Sequence, residues 1–268
     1  MSISKEHQLF LKRLKHEKII ITIFRILIII LFISIWEILS KFNIINTFLF
    51  SSPSRIINTI IKLYKSNELL KHICITLYEV LISFSLASII GIIVSTILWR
   101  FKTLSKIVDP YITIINSLPK VALGPLIIIW VGASMNSIIF MALTISLFTT
   151  IINIYTGFIN VDENYIIMLK SFNATKIQIF RKVILPSNIL NIISTLKINI
   201  SMSLIGVIMG ELLVSKNGLG YLIMYGSQVF NLDLVISSIF ILGIISYLMY
   251  FIIDRIFIIL KKKTNLCS

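Results

Sequence analysis

The sequence is poor in charged residues, and this shortage excludes a soluble protein. Charged residues make up 13% of its 268 residues, whereas a soluble domain carries about 25%. Hydrophobic residues make up 57% of the chain, and its mean hydropathy is +0.99. One soluble core of this size could not bury so much apolar surface, and a disordered chain would be far more polar. An integral membrane protein is the class that remains.

Cysteine and histidine are also scarce, and the sequence contains none of the common catalytic or nucleotide-binding motifs. Cys74 and Cys267 form no CxxC pair and no cluster with a histidine, so the sequence predicts no metal site. The histidines His7, His16 and His72 are predicted to be solvated polar residues. The motifs GxxxxGK[ST], HExxH and GxSxG are absent. We therefore predict that the chain is not an enzyme and binds no cofactor of its own.

Six apolar stretches are long enough to cross a bilayer as helices, which takes about 20 residues each. Helices are favoured over strands despite the many isoleucines, because a spanning segment must satisfy its own backbone hydrogen bonds. The fold predicted is all-α, with six transmembrane helices, the first a retained anchor. The predicted spans are Ile19–Leu39, Ile75–Trp99, Ile107–Val131, Asn136–Tyr155, Ile189–Leu213 and Leu232–Ile253.

The net charge of +14 indicates orientation in the membrane and not a nucleic-acid partner. Short cytoplasmic loops are enriched in Lys and Arg, and with the N-terminus inside most of the 25 positive residues lie on inner segments. Both termini are therefore predicted to be cytoplasmic. The predicted organisation is an N-terminal segment 1–18, the first span, an external loop 40–74, a five-helix core domain 75–256 and a basic cytoplasmic tail 257–268.

Residues 157–188, between the fourth and fifth spans, are predicted to form a cytoplasmic helix–turn–helix. Asp162 can cap a first helix, and Asn173 suits the left-handed turn that ends it. Thr175 can cap a second helix, which Pro186 either ends or passes on to the next span.

The second of these helices is predicted to be amphipathic. Ile177, Phe180 and Ile184 would share an apolar face, with the basic residues on another. Such a stripe fits a docking element for a soluble partner, and it fits equally a helix that lies on anionic lipids. Composition alone leaves both interpretations open.

The same loop resembles the cytoplasmic signature of permease subunits of bacterial type I ATP-binding-cassette (ABC) importers. That signature is E-A-A, three residues, G, nine residues and I-x-L-P, and residues 183–186 read VILP. Asn173 stands at the glycine position, where it preserves the turn, but residues 167–169 read IML and depart from E-A-A. Three further segments resemble the nitrate, sulfonate and taurine branch: FLFSSPSRI at 48–56, NSLPKVALGPLIIIWVG at 116–132 and ELLVSKNGLGYLI at 211–223.

The resemblance implies a permease that works with other subunits in the cytoplasmic (inner) membrane of a bacterium. Two permease copies, in this branch usually identical, would form the path, and an external binding protein would deliver a small anionic solute such as nitrate, a sulfonate or taurine. A cytoplasmic ABC ATPase would bind ATP and Mg²⁺ and dock on the loop. The residues implied in that coupling are Asp162, Ile167, Met168, Leu169, Ser171, Phe172, Asn173, Ala174, Thr175, Lys176, Phe180, Leu185 and Pro186.

Five residues in the spans are candidates for the translocation path. Lys120, beside Pro119, either lines the path for anions or marks a helix break and pairs with carbonyl groups. Asn199 and Ser203 either line the path or join helices, and Glu211 lies at an outer gate or at the interface. Two rival functions remain: a stand-alone secondary transporter or channel, and a permease of another ABC importer branch.

Overall fold

The computed structural model describes the backbone of residues 5–263 and the side chains of residues 13–14, 16–255 and 258. Every regular element in this range is helical. Most of the predicted tail 257–268, with Cys267, lies outside the described side chains. The twelve α-helices of the described range are α1 (Lys5–Lys41), α2 (Thr47–Phe50), α3 (Pro53–Lys65), α4 (Glu68–Arg100), α5 (Lys102–Ser117), α6 (Gly124–Val131), α7 (Met135–Ile159), α8 (Glu163–Ser171), α9 (Lys176–Ile179), α10 (Leu185–Val214), α11 (Leu219–Gln228) and α12 (Leu232–Lys263).

Five of the six predicted spans are confirmed as long apolar helices. Within the described residues, the segments with the length and hydropathy to cross a membrane are His16–Lys41, Glu68–Arg100, Met135–Ile159, Lys176–Val214 and Leu232–Arg255. They are longer than predicted chiefly at the ends that carry polar residues, where hydropathy alone gives no boundary.

The third predicted span, Ile107–Val131, is not one straight helix. α5 ends at Ser117, and the helical segment that resumes at Lys120 is bent by 85° from it. Leu118, the first of the two residues between them, is extended (φ −63°, ψ 144°), as expected of a residue before a proline. Pro119 also lacks the N–H that would continue the helix. The chain passes through a 3₁₀ turn, Lys120–Leu123, into α6.

The predicted external loop 40–74 is also largely helical. It contains α2 and α3, and α4 already begins at Glu68. The start of α3 is held by ion-pair and hydroxyl contacts: Arg55 binds Asp233 of α12 at 2.7 Å, and Ser54 Oγ donates to Glu37 of α1 at 2.9 Å. Within the predicted loop, Ser51 ends α2 and Ser52 caps the start of α3.

The core consists of α4, α7 and α10, and small residues let α7 and α10 approach closely. A Cβ added at Gly206 would lie 2.4 Å from the Cα of Ala142, and one at Gly210 would lie 2.9 Å from the Cα of Ile138. Helices in membranes associate through such small-residue contacts, since lipid offers no hydrophobic driving force between them. By contrast, the apolar segment of α1 is not buried at all and meets the core mainly through α3.

Candidate functional site

The helix–turn–helix between α7 and α10, which we call the α8–α9 loop (residues 160–184), has the predicted caps. The Asp162 carboxylate accepts a hydrogen bond from the Asn164 N–H at 2.9 Å, at the start of α8. Asn173 is left-handed with φ +54°. Its N–H donates to the Lys170 carbonyl, and the Ala174 N–H donates to the Leu169 carbonyl, the pattern that closes a helix C-terminus. These local predictions are confirmed.

Thr175 caps α9 through a reciprocal pair of hydrogen bonds. The Gln178 N–H donates to the Thr175 hydroxyl at 3.4 Å, and the Thr175 N–H donates to the Gln178 side chain at 2.7 Å. This capping box satisfies two backbone donors at the helix start. The turn between α8 and α9 is therefore fixed by hydrogen bonds at both of its ends.

Pro186 does not end the second helix but lies in a continuous helical segment, Lys176–Val214. A π-helical turn, Phe180–Ile184, precedes it, and the Leu185 N–H donates to the Phe180 carbonyl five residues back. This wider turn reorganises the backbone hydrogen bonds just where proline cannot donate one.

The π turn also corrects the predicted apolar stripe. Ile177 is 66% exposed, whereas Ile179 is buried together with Ile184. These two residues are five apart, so they share a face in a π turn, and Ile177 does not.

A small apolar cluster anchors the loop to the core. Ile179 and Ile184 pack with the buried side chains of α7, and Leu169 and Ala174 contact the same cluster. The Phe180 ring lies 5.1 Å from the Trp99 ring of α4 and 5.5 Å, edge to face, from the Phe158 ring of α7. The loop is therefore packed against the ends of α4 and α7.

The opposite side of the loop is an exposed surface that includes large apolar side chains. Phe172, at the turn, is 76% exposed. Ile167 and Met168, which stand at the first two positions of the E-A-A motif, are exposed as well. The remaining predicted coupling residues divide between the two sides: Asp162, Ser171, Asn173, Thr175 and Lys176 are exposed, and Leu169, Ala174, Phe180, Leu185 and Pro186 are partly buried.

Lys120 lies at the break between α5 and α6. Its Nζ donates to the Asn116 Oδ1 at 2.7 Å and to the Ile145 carbonyl of α7 at 3.4 Å. The Thr149 hydroxyl donates to the same Asn116 oxygen at 3.3 Å. The break and the carbonyl partner match one of the two predicted interpretations, although that carbonyl belongs to α7 and not to the residues around Pro119.

Asn199 connects α10 to α4 within the buried core, and Ser203 bonds to Asn199 from the same helix. The Asn199 Nδ2 donates to the Ser88 Oγ at 2.8 Å, and the Ser203 hydroxyl donates to the Asn199 Oδ1 at 3.3 Å. All three side chains are buried. Polar pairs of this kind join helices in membranes.

Glu211 is 1% exposed and holds the turn between α10 and α11. One carboxylate oxygen accepts from the Thr76 hydroxyl at 2.6 Å, and the other accepts from the Gly220 N–H at 2.6 Å. Thr76 in turn accepts from the Leu219 N–H at 2.9 Å. Glu211 is thus a buried connector between α4 and this turn.

Two members of this cluster were missed by the sequence reasoning. His72, predicted to be solvated, is 6% exposed and accepts the Gly218 N–H on its Nδ1 at 2.9 Å. Glu79 is buried opposite Glu211. The spacing His72, Thr76, Glu79 places three polar residues on one face of α4, and this was the signal available in the sequence. We call His72, Thr76, Glu79 and Glu211 the polar latch.

The comparisons with known proteins agree on one family. The family model described as "Binding-protein-dependent transport system inner membrane component" matches residues 87–266. A probable ABC transporter permease of Haemophilus influenzae is 30% identical over 230 residues, which cover 85% of this chain and 93% of that protein. A putative aliphatic sulfonates transport permease of Bacillus subtilis is 26% identical, with 81% of this chain and 78% of the relative covered.

A further relative and a solved structure extend this agreement. A formylaminopyrimidine transport permease of Halalkalibacterium halodurans is 28% identical and covers 83% of this chain and 88% of its own length. The inward-facing methionine ABC transporter MetNI shares the fold, with a TM-score of 0.60 at 20% identity over 72% of this chain and 95% of the matched chain. The chain belongs to the inner-membrane components of binding-protein-dependent transport systems, the permease subunits of ABC importers.

Proposed function

We propose that the permease couples to a cytoplasmic ABC ATPase through the exposed side of the α8–α9 loop. The observation that carries this proposal is the combination of an exposed Phe172 with a turn fixed at both ends. A large apolar side chain held in water by a rigid support is typical of a contact surface. The lipid-lying alternative would need the loop's apolar residues on one helical face, but Ile179 faces the core and Ile177 faces away from it.

The anchor of the loop supplies the physical link to transport. Because Phe180 packs between Trp99 and Phe158, a displacement of the loop displaces the adjacent ends of α4 and α7. Binding and hydrolysis of ATP, with Mg²⁺, take place on the partner ATPase. The ATPase shifts the permease between two states to the extent that it binds one of them more tightly.

The proposed assembly contains two identical copies of this chain, two ATPase subunits and an external binding protein. Both termini and the α8–α9 loop lie on the cytoplasmic side of a bacterial inner membrane, which agrees with the excess of Lys and Arg on that side. The polar latch then lies at the outer end of the path.

We propose a small anionic solute as the cargo, and Lys120 supports this. It is a half-buried cation at a broken helix within the membrane domain, and the two oxygens that it binds, of Asn116 and of the Ile145 carbonyl, are neutral, so its positive charge is not cancelled. The substrates named for the relatives differ, so the proposal depends on Lys120 and not on them. Lys120→Met should reduce transport of anions, and Lys216→Met, a lysine outside the helices, should not. Equal anion transport by both variants would contradict the assignment.

The coupling proposal is tested by Phe172→Asp in the full transporter. This change places a charge on the exposed apolar surface without touching the core, so the permease should insert normally and bind the ATPase weakly. Phe42→Asp is the matched control, because Phe42 is 74% exposed and follows α1 at the other end of the molecule. ATPase co-purification and ATP-driven uptake in proteoliposomes are measured. Normal coupling in Phe172→Asp would refute the role of the loop.

A further inference from the structure

An open cavity of about 620 Å³ lies beside the α8–α9 loop, at the turn between α4 and α5. Its lining combines three cations with a hydroxyl and two apolar side chains. The residues are Arg100, Phe101, Lys102, Thr103, Leu104 and Lys176. Lys176 comes from α9, so the cavity spans two separate elements of the chain.

The cations of this cavity have no acidic partner. Among the residues that the structure describes, Arg100, Lys102 and Lys176 form no salt bridge, and no carboxylate lines the cavity. Arg100 is exposed, and its guanidinium lies 5.4 Å from the centre of the Phe101 ring. Three unpaired cations and the Thr103 hydroxyl form a set of donors suited to phosphate oxygens.

An exposed apolar stripe leads from the cavity into the membrane-spanning part of α4. Phe101 lines the cavity. Ile97 and Ile93 precede it by one and two helical turns of α4, and both side chains are exposed. The cavity lies at the C-terminal end of α4, a helix long and apolar enough to cross a membrane, and lipid headgroups lie at the ends of such helices. The exposed side chains of Ile97 and Ile93 offer a path for an acyl chain beside it.

We infer that this cavity binds the phosphate headgroup of an anionic phospholipid, whose acyl chain lies along Ile97 and Ile93. Basic pockets between membrane helices bind such headgroups. A soluble acidic partner would use the charges but not the apolar stripe, and a free phosphate would use the pocket but not the stripe. The inference shares Lys176 with the proposed coupling surface, but its test uses the permease alone, so its outcome does not depend on ATPase docking.

The test uses the purified full-length permease, delipidated in detergent, and native mass spectrometry. The permease is titrated with phosphatidylglycerol, with phosphatidylcholine of the same acyl chains, and with glycerol phosphate. One phosphatidylglycerol should bind in preference to phosphatidylcholine. The triple variant Arg100→Gln, Lys102→Gln, Lys176→Gln should weaken that binding by about a hundredfold, since each charge near an anionic lipid contributes about a factor of five.

A matched triple variant, Lys170→Gln, Arg181→Gln, Lys182→Gln, removes the same charge from exposed residues of the same region that do not line the cavity. It should bind phosphatidylglycerol as the unmodified chain does. Ile97→Ser should weaken phosphatidylglycerol binding and leave glycerol phosphate binding unchanged. Should the cavity triple fail to fold, Lys102→Gln alone should weaken the lipid by about fivefold.

Four results would overturn the inference. Equal binding of the two lipids would show that the headgroup charge is not recognised. An equal loss in both triple variants would show general attraction by net charge. Glycerol phosphate that binds as tightly as the lipid would identify a free-phosphate site. Unchanged phosphatidylglycerol binding in the cavity triple would show that these cations do not hold the headgroup.

Discussion

Replacement of Phe180 by alanine should loosen the α8–α9 loop while leaving its exposed side intact. The Phe180 ring contacts the Trp99 and Phe158 rings at centroid distances of 5.1 and 5.5 Å. Loss of a fully buried phenylalanine side chain costs about 3 to 5 kcal/mol, and aromatic pairs add about 1 kcal/mol. Because Phe180 is only partly buried, we expect about 3 kcal/mol for the local stability of the loop.

Hydrogen exchange of the backbone amides in α8 and α9 measures this directly. Local opening governs exchange, so a loss of about 3 kcal/mol should speed exchange there by about a hundredfold. The amides of α7 and α10 in the core should change little. Ile177→Ala is the control, because substitutions at an exposed residue usually cost less than about 0.5 kcal/mol.

The same variant should lose ATP-driven transport even where the ATPase still binds, since a loosened loop no longer moves the core helices. Exchange rates for Phe180→Ala that match those of Ile177→Ala would refute the anchoring argument. Normal transport with fast exchange would show that a rigid loop is not required for coupling.

Three further predictions concern the packing, the cap and the latch. Gly206→Ala should lower the thermal midpoint by about 5 °C, since the helix beside it cannot yield, while Gly243→Ala, with nothing within 4 Å of the added Cβ, should not. Thr175→Ala should cost about 1 kcal/mol and fray α9 in hydrogen exchange, whereas Thr175→Ser should retain the cap. Glu211→Ala removes the acceptors of the Thr76 hydroxyl and the Gly220 N–H, so the 215–220 turn should open more often. A cysteine placed in that turn should then react faster with maleimide than the same cysteine in a chain that keeps Glu211. Equal rates would contradict the latch.

Local features of the α8–α9 loop could be predicted because a few neighbouring residues decide them. Asp162, Asn173 and Thr175 each have a backbone preference and a nearby hydrogen-bond partner. A helix break beside Pro119 was one of the two interpretations of Lys120, because proline has a local backbone preference too, but its angle of 85° was not predicted. The π turn was missed, because no residue type requires one and it arises from how the helix must meet the core.

The polar latch could not be predicted in full, because its partners are distant in the sequence. Glu211 and Thr76 are separated by 135 positions and meet only when α4 and α10 pack. His72 looked like a solvated residue for the same reason. The orientation in the membrane and the subunit partners stay predictions, since they depend on molecules other than this chain.

The continuous helical segment Lys176–Val214 has a mechanical consequence. Its 39 residues span about 58 Å at a rise of about 1.5 Å per residue. One end carries the first residue of α9 and the other carries Glu211, so a single rod joins the two faces of the protein. A tilt imposed at Lys176 would be carried to Glu211 through helical backbone, and the one turn in its way that is not α-helical is the π turn Phe180–Ile184.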